Sequence, residues 1–394
     1  MLAPLDQLPL IPSNEVSESD LAIGPMRKCI SLGGPGPLRR DDDPDDYRLW
    51  GNREYISESG TTWVKVWLSW SDLQGELDAA PATRDQSWDQ LSKAPNGQAW
   101  IKRLDRQLAA INSDGLGAIL TLFQSFPRWA GGATEPDPVT RTKPPEQKIP
   151  SDLSPGGPWG WFVGFLCDRY GKDSRNNPDG AWVDALEICN EPNLLWWPQE
   201  EVGPAVAQMI RTATELSGWD GPAILAPGTS DFPDQSQRSA RGLVATDWLS
   251  FTQNVLENLR GLRLSAPLHW SHHNFNDVKR VQEPSRAEQV VDLLAQHGWI
   301  ERVQPLWLTE GGFNLHPDPD DPQRQARQAK LIEANYLRMR GTGDVFMWTQ
   351  HTITDKPGND FNSGLRDDFV EGGGPGPTRP AWERWQKLPG AKSP

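Results

Sequence analysis

Leu186-Glu187-Ile188-Cys189-Asn190-Glu191-Pro192-Asn193 is an apolar run that closes abruptly on an amide, a carboxylate and a proline. Such a run reads as a strand with two polar side chains at its C-terminal end. In a parallel α/β barrel that end is the mouth where chemistry is done. Pro305-Leu306-Trp307-Leu308-Thr309-Glu310-Gly311-Gly312 has the same form and delivers a second lone carboxylate.

Outward from these two runs, short β-like segments alternate with longer helical ones eight times. The predicted strands are Arg27–Leu32, Trp63–Leu68, Gly117–Phe123, Ala185–Cys189, Ala223–Ala226, Pro267–Ser271, Pro305–Thr309 and Asp344–Trp348. The predicted helices are Asp45–Ser59, Ala99–Ile111, Trp159–Tyr170, Val202–Leu216, Thr246–Leu259, Arg286–His297, Gln323–Arg340 and Arg379–Leu388. Apolar residues such as Ile332, Tyr336 and Met339 return near the helical period.

Strict alternation implies a parallel sheet with right-handed crossovers. Eight units with no segment left over favour closure, and no G-x-G-x-x-G follows the first strand to support a nucleotide fold. The α/β chain is therefore expected to be a single (β/α)8 TIM barrel over residues 1–394, with a short irregular segment to about residue 22. Units of about 40 residues exceed the roughly 30 of a minimal barrel. The excess sits in Gly33–Asp46, Gly131–Gly157 and Thr354–Gly376, long loops after strands one, three and eight. On the catalytic face these are expected to wall a closed pocket suited to exo action.

A net charge of −14 argues against nucleic acid and against anionic membranes as partners. No stretch approaches transmembrane length, and the first 21 residues lack a basic start followed by an apolar run. The expectation is a soluble, cytoplasmic protein, or a secreted one whose leader has been removed. Three cysteines cannot all pair and have no C-x-x-C spacing; Cys167 and Cys189 are expected to be buried thiols. His269, His272 and His273 are spaced for a strand with members on opposite faces, so neither a metal nor another cofactor is expected. Twenty Trp against four Tyr supply flat indole faces suited to sugar rings, although most must fill the core.

Two carboxylates on two strand ends are what glycosidic bond cleavage requires. The chain resembles clan A of the glycoside hydrolases, the retaining (β/α)8 enzymes, loosely families 5 and 39. The likeness is carried by Trp63–Trp70, Phe126-Pro127-Arg128-Trp129, Glu187–Pro192, Ser271–Phe275, Leu308–Gly311, Phe346-Met347-Trp348, Ser363-Gly364-Leu365 and Thr378–Ala381.

That resemblance implies Glu191 as acid/base on strand four and Glu310 as nucleophile on strand seven. Asn190 would bond the sugar 2-hydroxyl, and Trp348 would form the floor under the sugar. Strand six ends Ser271-His272-His273-Asn274-Phe275, where clan members often carry Ser-x-His-x-Tyr with the Tyr bonding the nucleophile. His273 fits the His position and, with His272, joins the substrate-binding set. Phe275 departs from the pattern, leaving His272, Tyr55 or another donor to orient Glu310. Trp70, Trp129, Trp196 and Trp197 fall at or beyond strand ends and are candidates for binding sugar further out. Alternation puts Lys65 inside the barrel, where it can pair with Glu187. The expected substrate is a carbohydrate or glycoside; a transglycosidase and a non-catalytic carbohydrate-binding barrel are the alternatives.

Overall fold

The computed structural model describes residues 26–32, 53–74, 81–93, 95–123, 126–131, 149–178, 180–194, 199–235, 237–238, 244–261, 265–280, 284–299, 305–355, 361–367 and 376–390. Eight parallel strands close into a barrel in chain order: β1 (Arg27–Ser31), β2 (Trp63–Ser69), β3 (Gly117–Phe123), β4 (Ala185–Glu187), β5 (Ala223–Thr229), β6 (Leu268–His273), β7 (Leu306–Gly311) and β8 (Val345–His351). Helices α1 (Arg53–Glu58), α2 (Trp70–Gln74), α3 (Arg84–Lys93), α4 (Pro95–Ser113), α5 (Arg128–Gly131), α6 (Pro158–Tyr170), α7 (Gln199–Ser217), α8 (Trp248–Asn258), α9 (Phe275–Lys279), α10 (Arg286–Leu294), α11 (Pro322–Thr342) and α12 (Pro380–Lys387) fill the connections. The expected (β/α)8 architecture is what the chain adopts. Among the described residues no helix is long and apolar enough to cross a membrane.

Side-chain alternation sorts the barrel into layers. At the N-terminal end the interior is apolar, with Cys29, Trp63, Ile119, Ala185, Leu225, Trp307 and Met347 in one cluster. Two residues further along, Ser31, Lys65, Thr121, Glu187, Ser271, Thr309 and Thr349 form a fully buried polar layer. The alternate residues, among them Val64, Leu120, Leu186, Ile224, Trp270, Leu308 and Trp348, face outward into the core shared with the helices. Apolar packing thus holds the frame, while the polar layer lies directly beneath the mouth.

Helix starts follow ordinary capping chemistry. Asp247 accepts from the Ser250 amide at α8, and Ser285 with Glu288 makes a reciprocal capping box at α10. Cys29, Cys167 and Cys189 are buried free thiols. The predicted wall loop Gly33–Asp46 lies outside the described residues, as do most of Gly131–Gly157 and parts of Thr354–Gly376.

Candidate active site

β4 is shorter than its apolar run because two residues after it adopt left-handed backbone. Cys189 has φ 70° and Glu191 has φ 44°, a conformation that costs a non-glycine residue on the order of 1 kcal/mol or more. The turn at Cys189 sends its thiol outward against Met209 of α7 and breaks the ladder. Pairing resumes at Asn190 against Gly228, and the Glu191 amide donates to the Gly228 carbonyl at 2.7 Å. Asn193 ties the segment down, donating to the Ser230 and Phe232 carbonyls and accepting from the Ser230 amide. Glu191 is thereby held at the mouth with 16% of its side chain exposed.

A different device places Glu310. His272 is paired with Leu308 but His273 with Glu310, and Trp348 with Leu308 but Gln350 with Gly311. One extra residue in β7 therefore bulges against both neighbours. Trp307 and Thr309 already face inward, so strict alternation would turn Glu310 out; the bulge turns it in. Gly311 is required next, since a Cβ there would lie 2.1 Å from Asn274 Oδ1. Gly228 on β5 meets the same demand, since a Cβ there would lie 2.7 Å from His273 Nε2 and 2.9 Å from Glu187 Oε1.

The buried Lys65 ammonium sits between two carboxylates, 2.9 Å from Glu187 Oε2 and 3.0 Å from Glu310 Oε1. Glu187 also accepts from Thr121 at 2.6 Å and Ser271 at 2.7 Å. It is the fixed counterion that keeps Lys65 aimed at the mouth. Glu191 Oε1 lies 2.9 Å from His273 Nδ1, and that nitrogen is 3.6 Å from Glu310 Oε2. Oxygen atoms of Glu191 and Glu310 and a ring nitrogen of His273 all fall within 4.8 Å of one another. That spacing is also one a cation can use, but Lys65 already supplies positive charge against Glu310.

Burial alone would raise the Glu310 pKa. The positive charges of His273, Lys65 and His351 outweigh it and bring the carboxyl down to about 2. Burial lowers His351 below the ordinary imidazole range against the pull of Glu310, whereas Glu187 and Glu310 outweigh burial at Lys65 and raise it, so its ammonium stays charged at neutral pH. Glu310 is an ionised carboxylate with Oε1 on Lys65 and Oε2 toward His273 and His351.

Other expected site residues lie elsewhere. His272 shares the outward parity of Leu268 and Trp270; its ring packs on Trp248 at 5.7 Å, and burial lowers its pKa to about 3. It neither binds in the pocket nor orients Glu310. Trp348 is likewise on the outward face, donating to Asn335 Oδ1 at 2.8 Å and packed on Tyr336 and Trp385. It is a core residue and no floor for a sugar. Trp70 stacks on Phe162 at 4.7 Å and 4° and bonds Gln74 within the helix-facing core. Trp129, half-buried, packs edge-on to Trp70 and donates to the Gln74 carbonyl, so it too belongs to that cluster. Tyr55 packs edge-on to Trp382 under Arg366, between α1 and α12. Trp196 and Trp197 lie outside the described residues.

The inward parity finds what single positions did not. Continuing Trp63 and Lys65 by two gives Trp67, half-buried above the Lys65 ammonium (4.5 Å) and 5.6 Å from Phe123. Continuing Met347 and Thr349 gives His351, whose Nδ1 is 3.6 Å from Glu310 Oε2. Phe275 completes the opposite wall, edge-on to His351 at 6.0 Å and to Phe361 at 5.1 Å.

The placement of Trp70 gives a direct test. Trp70→Leu should cost about 2–4 kcal/mol of stability through lost packing, with KM for any substrate unchanged. Thermal denaturation and steady-state kinetics check this; a normally stable variant with a raised KM would return Trp70 to the substrate side.

No family model matches the sequence, nor does any curated protein. Solved structures do. A family 39 glycoside hydrolase from the gut symbiont Bacteroides cellulosilyticus WH2 aligns over 92% of this chain with a TM-score of 0.54 and 14% identity; this chain spans 63% of that one. GH5_18 from Streptomyces cattleya, in complex with GlcNAc, aligns over 94% of this chain and 83% of its own, with a TM-score of 0.55 and 15% identity. The chain shares the fold of these structures. Fpglu1 from Fervidobacterium pennivoraus extends the likeness, at a TM-score of 0.57 and 11% identity over 92% of this chain and 95% of that one.

Proposed function

We propose that the protein is a retaining O-glycoside hydrolase in which Glu310 is the nucleophile and Glu191 the general acid/base. One observation carries the reading: two carboxylates from strands four and seven present oxygens within 4.8 Å of each other at the barrel mouth, one of them held ionised by a buried lysine. Retaining glycosidases place their carboxyl groups about 5–5.5 Å apart, whereas inverting ones need about 6.5–9.5 Å to admit a water.

The division of labour follows from the surroundings. Glu310, ionised beside Lys65, attacks the anomeric carbon while Glu191 protonates the departing glycosidic oxygen. The product is a glycosyl ester on Glu310. Glu191, now a carboxylate hydrogen-bonded to His273, then removes a proton from water, which attacks the same carbon and releases Glu310. Asn190, beside Glu191 and nearly buried, is the residue we assign to the 2-hydroxyl. Trp67, Phe123, Phe275 and Phe361 offer ring faces and edges to the sugar.

A panel of aryl glycosides (glucoside, N-acetylglucosaminide, mannoside, xyloside, galactoside and arabinoside) assayed for release of the aryl group tests the reading. At least one is expected to be turned over without added cofactor. No release from any of them, with the protein folded, contradicts it.

A further inference from the structure

Phe275, just after β6, has no hydroxyl to offer Glu310. Two imidazole nitrogens face Glu310 Oε2 at the same distance, 3.6 Å: Nδ1 of His273 on β6 and Nδ1 of His351 on β8. They are not equivalent. His273 Nδ1 is 2.9 Å from Glu191 Oε1 and so is already engaged with the acid/base residue. His351 Nδ1 is buried and has no hydrogen-bond partner among the described residues. Among the described residues, the charged or titratable groups around it are Glu310 on β7, Lys65 on β2, His273 on β6 and Glu191 after β4.

The ring is also held for the task. Phe275 and Phe361 meet it edge-on at 6.0 and 5.8 Å. They fix its plane and offer no competing acceptor. A neutral imidazole carrying its proton on Nδ1 is a donor there, and the buried setting favours the neutral form. The separation must shorten by about 0.6 Å to reach ordinary hydrogen-bond length. Hydrogen bonds at unliganded catalytic sites are often long and tighten when substrate binds.

We propose that His351 is a positioning residue: its Nδ1–H closes on Glu310 Oε2 as substrate fills the site and holds the nucleophile in line, taking the place of the hydroxyl that Phe275 lacks. This rests on Glu310 being the nucleophile. It assigns the end of β8 a polar role in the reaction, beyond shaping the pocket.

The test compares His351→Phe, which keeps an aromatic ring and loses the donor, with His351→Asn, whose amide nitrogen can reach the position of Nδ1. The substrate is an aryl glycoside that the wild type turns over, and folding of both variants is verified by thermal denaturation. His351→Phe should lower kcat/KM roughly 10- to 100-fold, the range of one charge-assisted hydrogen bond. The loss should fall in kcat with little change in KM, and the acid limb of the pH profile should move to higher pH. His351→Asn should recover most of the rate. A Phe variant within twofold of wild type overturns the proposal, as does an Asn variant no better than Phe. A wild type inactive on every glycoside removes the functional reading itself, a result these variants cannot mimic.

Discussion

Glu310→Gly should lower turnover of a good aryl glycoside by roughly four to six orders of magnitude while the barrel stays folded. The size of the loss follows from the role proposed for the carboxylate: it would form the bond to the anomeric carbon, and neither Glu191 nor Lys65 could substitute for it. The fold should tolerate the change because Glu310 sits at the rim of the barrel, above the buried Lys65–Glu187 pair. Removing the side chain also opens a small space on the face from which it attacks. Azide can occupy that space, and a single displacement by it yields a glycosyl azide of inverted configuration. The check is turnover with and without azide, with the product configuration read by NMR. A Glu310→Gly variant within tenfold of wild type would remove Glu310 from the chemistry.

Lys65→Met has the second largest expected effect, and it acts on stability and ionisation together. The methionine stem fills most of the lysine volume, but Glu187 and Glu310 are left with no ammonium between them. Breaking a buried ion pair from one side costs about 3–5 kcal/mol, to be read from chemical denaturation. The sign of the pH effect is fixed by Glu310. Its folded pKa is depressed to about 2, so its ionised form stabilises the wild type fully above the unfolded value of about 4.3. That contribution fades only as pH falls through about 2. Without Lys65, one of the positive charges that offset burial is gone and the Glu310 pKa rises. The acid limb of activity should therefore move up by more than one pH unit, and the low-pH stability advantage should vanish. An unchanged stability and acid limb would mean that the lysine neither anchors the carboxylates nor sets their charge.

The barrel was legible because its signal is local and repeated: apolar runs of four to seven residues, helices with period near 3.6, and carboxylates on two strand ends. The same period of two that put Lys65 inside, beside Glu187, also decided the fate of His272 and Trp348. Both are one residue out of phase with the interior and face the helices. Counting forward from Trp63 and Met347 would have reached Trp67 and His351 instead, had β8 been carried on to residue 351. What no count reveals is where the phase breaks. Glu310 faces inward only because β7 carries a bulge, and Glu191 is presented only because Cys189 and Glu191 take left-handed backbone. Both distortions answer to partners distant in sequence, Asn274 and Gly228 among them. The tryptophans after strands two and three were ambiguous for another reason: an indole at a strand end packs equally well against a sugar or against Phe162.

The central claim is that two closely spaced carboxylates act by double displacement, and the configuration of the first-formed product tests it most directly. Oxygens of Glu191 and Glu310 within 4.8 Å fit the short carboxyl separation of retaining enzymes, in which one carboxylate, here proposed to be Glu310, attacks the anomeric carbon itself. Water then opens the glycosyl ester from the face the leaving group left, and two inversions give net retention. Proton NMR taken within the first minutes of turnover, before mutarotation, should show the anomer of the starting glycoside. A first-formed product of inverted configuration would contradict the account, even if Glu191 and Glu310 both proved essential.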